Sequence, residues 1–90
     1  MIRVHLTIHG LVQGVFFRAE TKKQAQELGV TGFVANNSDG TVSVVAEGPE
    51  NLIQQLTDWC NSGPSRAQVQ KVDAETHTYT GEFEGFEIRY

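Results

Sequence analysis

The stretch Ile2–Leu28, IRVHLTIHGLVQGVFFRAETKKQAQEL, decides the fold because its hydrophobic period changes from 2 to 3.6 partway along. Ile2, Val4, Leu6 and Ile8 alternate with Arg3, His5, Thr7 and His9, so the segment reads as a strand with one covered face. Gly10 and Gly14 bracket Leu11, Val12 and Gln13. Beyond them Phe17, Thr21, Ala25 and Leu28 share one stripe of a helix, and Gly29 supplies a left-handed stop.

Working outward, Val30–Asn36 and Thr41–Glu47 read as two strands joined through Asn37, Ser38, Asp39 and Gly40, whose Asp-Gly pair suits a tight hairpin. Gly48 and Pro49 open a second helix, with Pro49 at its first position. Leu52, Ile53, Leu56, Trp59 and Cys60 lie on one face of this helix, and Gly63 and Pro64 end it. Glu47 and Glu50 flank its start, where the helix dipole favours acid. Ala67–Tyr79 is strand-prone, but Val69 and Val72 are three apart, which predicts a bulge or an irregular start. Phe86, Ile88 and Tyr90 alternate with Glu87 and Arg89 as a short closing strand.

The order β-α-β-β-α-β predicts an α+β, ferredoxin-like βαββαβ sandwich. Its expected form is an antiparallel sheet with two helices on one face and a short extra C-terminal strand. Residues 1–90 are read as a single domain, a size too small for two cores. In this topology the ends of the first strand, at Gly10, and of the second, at Asn36, meet at one edge of the fold.

Composition narrows the function. Seven Lys and Arg against 11 Asp and Glu give a formal net charge of −4, so no general basic field invites nucleic acid. RNA-binding domains of this topology stack bases on sheet aromatics, whereas the outward face of the first strand carries Arg3, His5, Thr7 and His9. The single Cys60 reads as a small buried hydrophobe; it cannot close an intrachain disulfide, which fits a reducing, cytoplasmic location. No apolar stretch approaches the ~18 residues of a membrane span. His5, His9 and His77 come without an acidic cluster, so no metal is expected, and His9 beside the loop is a candidate for tuning the pH profile. With no apolar stripe left over, the expected state is a monomer.

The chemistry centres on Gly10–Arg18, where a strand runs through two glycines into a helix N-terminus. Such a loop turns backbone N–H groups around a small anion. The helix start adds roughly half a positive charge, and Arg18 adds a planar fork for two phosphate oxygens. Asn36, at the same edge, carries an amide that both donates and accepts, as orienting an attacking water requires. The residues alone leave two readings open: an anion site, or a structural turn in which Asn36 serves the hairpin beside Asn37 and Asp39.

Two stretches together resemble the acylphosphatase family. Gly10-x-Val12-Gln13-Gly14-Val15-x-Phe17-Arg18 matches its first motif. Gly32-Phe33-Val34-Ala35-Asn36, three residues, Gly40-x-Val42, five residues and Gly48 matches its second. The likeness extends over nearly the whole chain, including Trp59, Gly63, Pro64 and the closing Phe86-x-Ile88-x-Tyr90. It implies hydrolysis of an acyl phosphate, a small-molecule substrate, to a carboxylate and inorganic phosphate, without a cofactor or metal. Arg18 matches the phosphate-binding arginine and Asn36 the water-positioning asparagine. Leu11, Val12, Gln13, Gly14, Val15 and Phe16 match the backbone-amide loop, in which Phe16 stands at a variable position. The alternative is a non-catalytic module for a phosphorylated ligand, or an acylphosphatase-like partner domain of a larger assembly such as a carbamoyl-transfer maturation protein. A 90-residue chain without extensions favours the stand-alone enzyme.

Overall fold

A computed structural model describes all residues, Met1–Tyr90. The elements follow in the order β1 (Ile2–Leu11), α1 (Phe17–Leu28), β2 (Thr31–Asn36), β3 (Val42–Gly48), α2 (Glu50–Ser62), β4 (Gln68–His77) and β5 (Phe86–Arg89). One five-stranded sheet has the order β4-β1-β3-β2-β5. The core lies between the sheet and the two helices. Val4, Leu6 and Ile8 of β1, Val34 of β2, and Val42, Val44 and Ala46 of β3 meet Phe17 and Ala25 of α1 and Ile53, Leu56 and Cys60 of α2. Phe17 is 1% exposed and tilts against Trp59, ring centroids 5.6 Å apart, so it joins the helices to each other. Thr21 lies in the same stripe at no desolvation penalty, because its hydroxyl donates to the Phe17 carbonyl at 2.7 Å.

The expected sandwich is present, with one correction: the sheet is mixed, because β5 pairs parallel with β2 from Gly32↔Phe86 to Ala35↔Arg89. Topology forces this. β4 occupies the edge beside β1, so the last strand pairs at the opposite edge, and residues 78–85 cross one end of the sheet to reach it. The crossing spans four strand spacings, roughly 19 Å at ~4.8 Å each, well within the reach of eight extended residues. The reversal at that end makes β5 antiparallel to β4 and hence parallel to β2.

Glu47 is the second correction. Rather than serving the dipole of α2, it is the next-to-last residue of β3, almost wholly buried at 1% exposed, and holds the crossing segment. Its carboxylate accepts from the Thr80 amide at 2.8 Å, the Thr80 hydroxyl at 2.9 Å and the Gly81 amide at 3.1 Å, with Arg3 at 3.6 Å. Pro49 also moves one place: it is the N-cap of α2, and its carbonyl accepts from the Leu52 and Ile53 amides at 3.0 Å each.

The irregularity expected near Val69 is a bulge. The β1–β4 register shifts between His9 and Gly10, which pair with Lys71 and Val69 and leave Gln70 unpaired. Gly10 has φ 126, and a Cβ there would collide with the Gln68 carbonyl oxygen. This glycine therefore serves the close approach of β4 where β1 hands over to the loop. The strand runs one residue further than expected, to Leu11.

Candidate active site

Beyond Leu11 the chain bends through residues 12–16 before entering α1. Two left-handed residues make the turn, Gly14 at φ 73 and Phe16 at φ 65. For Phe16, a non-glycine with ψ 21, that conformation costs about 1–2 kcal/mol. Phe16 is also the N-cap of α1, and no side chain caps the helix, although a Ser, Thr or Asp there would contribute about 1 kcal/mol. The Val12–Phe16 amides donate to no backbone carbonyl. Strain, an uncapped helix start and a run of unbonded donors coincide in one loop, an arrangement with the donors to receive an anion.

Gln13 fixes this loop to the second half of the site. Its side-chain Nε2 donates to the Asn37 carbonyl at 2.8 Å and the Thr41 carbonyl at 3.0 Å, both in the β2–β3 hairpin that carries Asn36. The hairpin is braced in turn. Asn37 Nδ2 donates to the Thr41 and Ser43 hydroxyls at 2.9 and 2.7 Å. Asp39 accepts from the Thr41 hydroxyl at 2.6 Å and the Thr41 amide at 3.1 Å. The hydroxyl bond, followed by the amide bond, holds the Asp39 carboxyl below its ordinary value.

Arg18, in the first turn of α1, and Asn36, the last residue of β2, line one pocket of about 260 Å³. Asn36 sits two residues beyond core-facing Val34, so its side chain lies on the helix side of the sheet. Its Oδ1 is buried with no donor. An unpaired buried acceptor costs about 1–3 kcal/mol unless a water or a ligand in the pocket supplies the donor. Val12, Gly14 and Phe16 contribute to the wall. Leu11, Gln13 and Val15, equally expected in the cradle, do not line the pocket; Leu11 is exposed, Gln13 tethers and Val15 packs into the core.

The motif missed Ile88 and Tyr90, which close the pocket from the side of β5. The Arg18 guanidinium lies over the Tyr90 ring, 5.0 Å from its centroid, a cation–π contact that restricts where the fork points. The alternation of Phe86, Ile88 and Tyr90 was legible, but it does not say at which edge the strand pairs. His9 turns away to the outer face of the sheet, with Nε2 2.9 Å from Asp73, and does not line the pocket. Cys60 is fully buried, and burial pushes its thiol up to about 12. No three His, Cys, Asp or Glu side chains are grouped to hold a metal ion, and no helix is long and apolar enough to cross a membrane.

Fold and site together define a small ferredoxin-like domain in which a loop of unbonded amides, Arg18 and Asn36 meet at one end of its sheet. The acylphosphatase family model matches residues 4–88. An acylphosphatase of Geobacter sulfurreducens is 51% identical over 89 residues, covering 99% of this chain and 98% of that protein. The crystal structure of acylphosphatase from Bacillus subtilis superposes with a TM-score of 0.96 at 30% identity, over 100% of both chains. Full-length HypF, solved in a phosphate- and nucleotide-bound form, matches with a TM-score of 0.90 at 27% identity, over 99% of this chain and 12% of that one. The chain belongs to the acylphosphatase family.

Proposed function

We propose that this chain hydrolyses the carboxyl–phosphate anhydride of a small acyl phosphate, with Arg18 and the loop amides binding the phosphate and Asn36 placing the water. The observation that carries this division of labour is the buried, unpaired Oδ1 of Asn36 in the pocket that Arg18 lines. Family membership and the matched structure support the activity itself.

In this reading the phosphoryl group sits against the Arg18 fork, the unbonded amides of Val12 to Phe16 and the start of α1, which gather the charge on its non-bridging oxygens. Asn36 Oδ1 accepts a hydrogen bond from a water and holds one of its lone pairs toward phosphorus. A bond forms from water oxygen to phosphorus as the phosphorus–oxygen bond to the acyl group breaks, and the carboxylate leaves with that electron pair. The water's proton passes to a phosphate oxygen, so the dianionic substrate yields a carboxylate and dihydrogen phosphate. A carboxylate is stable without protonation, so the step needs no strong general base, no metal and no cofactor.

The net charge of −4 supports a small-molecule substrate over nucleic acid, and the single unpaired Cys60 supports a location in the reducing cytoplasm. The test is benzoyl phosphate hydrolysis in the presence of a chelator by the wild type and by Arg18→Ala. Rapid turnover in the wild type alone is expected. Phosphate binding without turnover in the wild type would make the cradle a recognition site.

A further inference from the structure

The phosphate end of the pocket accounts for Arg18, Asn36 and the amides, but not for two large apolar side chains left open beside them. Phe16 is 68% exposed and Tyr90 100% exposed, and both line the same pocket together with Ile88 of β5. A single exposed ring needs no explanation, but two that share one cavity with a candidate binding site mark an interaction surface. Phe16 is moreover held in the left-handed region, a conformation that Gly or Asn adopts at little cost. No Asp or Glu lines the pocket, and its one charged side chain is that of Arg18. An acyl substituent leaving the cradle therefore meets the side chains of Phe16, Ile88 and Tyr90, with no acidic side chain for an ammonium and no basic side chain beyond Arg18 for a second anion.

Resting on the acyl phosphate reading above, we propose that Phe16 and Tyr90, with Ile88, form an acyl subsite that selects apolar acyl groups, aromatic or of several carbons, over acetyl. Tyr90 has one ring face against Arg18, so an apolar acyl group packing at this wall also shields the Arg18–phosphate contact from water. Phe16 is the specificity-determining side chain, because its backbone helps to shape the cradle while its ring is free to contact the acyl group.

The experiment compares kcat/KM for acetyl, butanoyl and hexanoyl phosphate, whose carboxylates are leaving groups of nearly equal basicity, with benzoyl phosphate as an aromatic member. It uses the wild type, Phe16→Asn, which suits the left-handed backbone, and Phe16→Tyr, which keeps a ring. In the wild type kcat/KM rises about tenfold or more from acetyl to hexanoyl phosphate. Each variant's acetyl phosphate value is its own reference, so a general loss cancels; the rise shrinks severalfold in Phe16→Asn and persists in Phe16→Tyr. A flat wild-type series overturns the subsite whether or not the variants fold, and an undiminished rise in folded Phe16→Asn removes Phe16 from it. Failure of the wild type to hydrolyse any of the four would refute the enzymatic reading itself, a result distinct from a flat series.

Discussion

Replacing Gln13 by Met keeps the length of the side chain and deletes both hydrogen bonds that tie the cradle loop to the Asn36 hairpin. Each is a neutral, partly buried bond, worth about 1 kcal/mol net. The two carbonyls are not orphaned, because Asn37 O keeps the Gly40 amide at 3.2 Å and Thr41 O keeps the Asn37 amide at 2.9 Å. The loss should therefore stay near the sum of the two bonds, about 2 kcal/mol, or a fall in Tm of roughly 8–16 °C for a domain of this size. Activity should fall further than stability suggests, since a shift of ~1 Å between cradle and water site costs as much as a hundredfold. Gln13→Glu sharpens the test. Its ionised carboxylate has no donor and faces two carbonyl oxygens, so it should be worse than Met at neutral pH and recover as acid protonates it. Thermal unfolding followed by circular dichroism, with kcat/KM for benzoyl phosphate in the same buffer, reads both effects. Unchanged Tm and kcat/KM in Gln13→Met would refute the tether.

Acid should weaken the fold through Asp39 and Glu82. Hydrogen bonds from Thr41 hold Asp39 below its ordinary 3.8, and one from Arg3, then one from Thr80, hold Glu82 below its ordinary 4.5. Both groups bind protons at higher pH when unfolded, so their contribution is present above those values and lost as pH falls through the folded ones. Tm should drop below about pH 4.5, less steeply in Asp39→Asn/Glu82→Gln; an equally steep acid limb in that variant would contradict the assignment. Cys60, raised from 9.0 to about 12 by burial, should resist iodoacetamide at pH 8 until urea unfolds the chain. Its stabilising effect should fade as pH rises from 9.0 toward 12, and rapid labelling of the native protein would contradict its burial.

The period change at Phe17 and the hairpin at Asp39-Gly40 carried the element order, because each is a local pattern with one structural meaning. That order also brought Arg18 and Asn36 to one edge before any coordinates. Pairing across the sheet is not local. The parallel β5, and with it the places of Ile88 and Tyr90 in the pocket, depends on which edge β4 leaves open. Glu47 reads in sequence as a charge beside a helix start; only the crossing of residues 78–85 surrounds it with donors. The two motif glycines show the same limit. Gly14 turns the loop, whereas Gly10 is demanded by the Gln68 carbonyl of a strand some sixty residues away in sequence.

The most direct test of the central claim is steady-state hydrolysis of benzoyl phosphate by Asn36→Ala, with inhibition by inorganic phosphate measured on the same preparation. If Arg18 and the amides bind while Asn36 places water, the variant keeps the wild-type inhibition constant for phosphate and loses about a hundredfold or more in kcat. Normal turnover, or phosphate inhibition lost together with turnover in a folded variant, would contradict that division of labour.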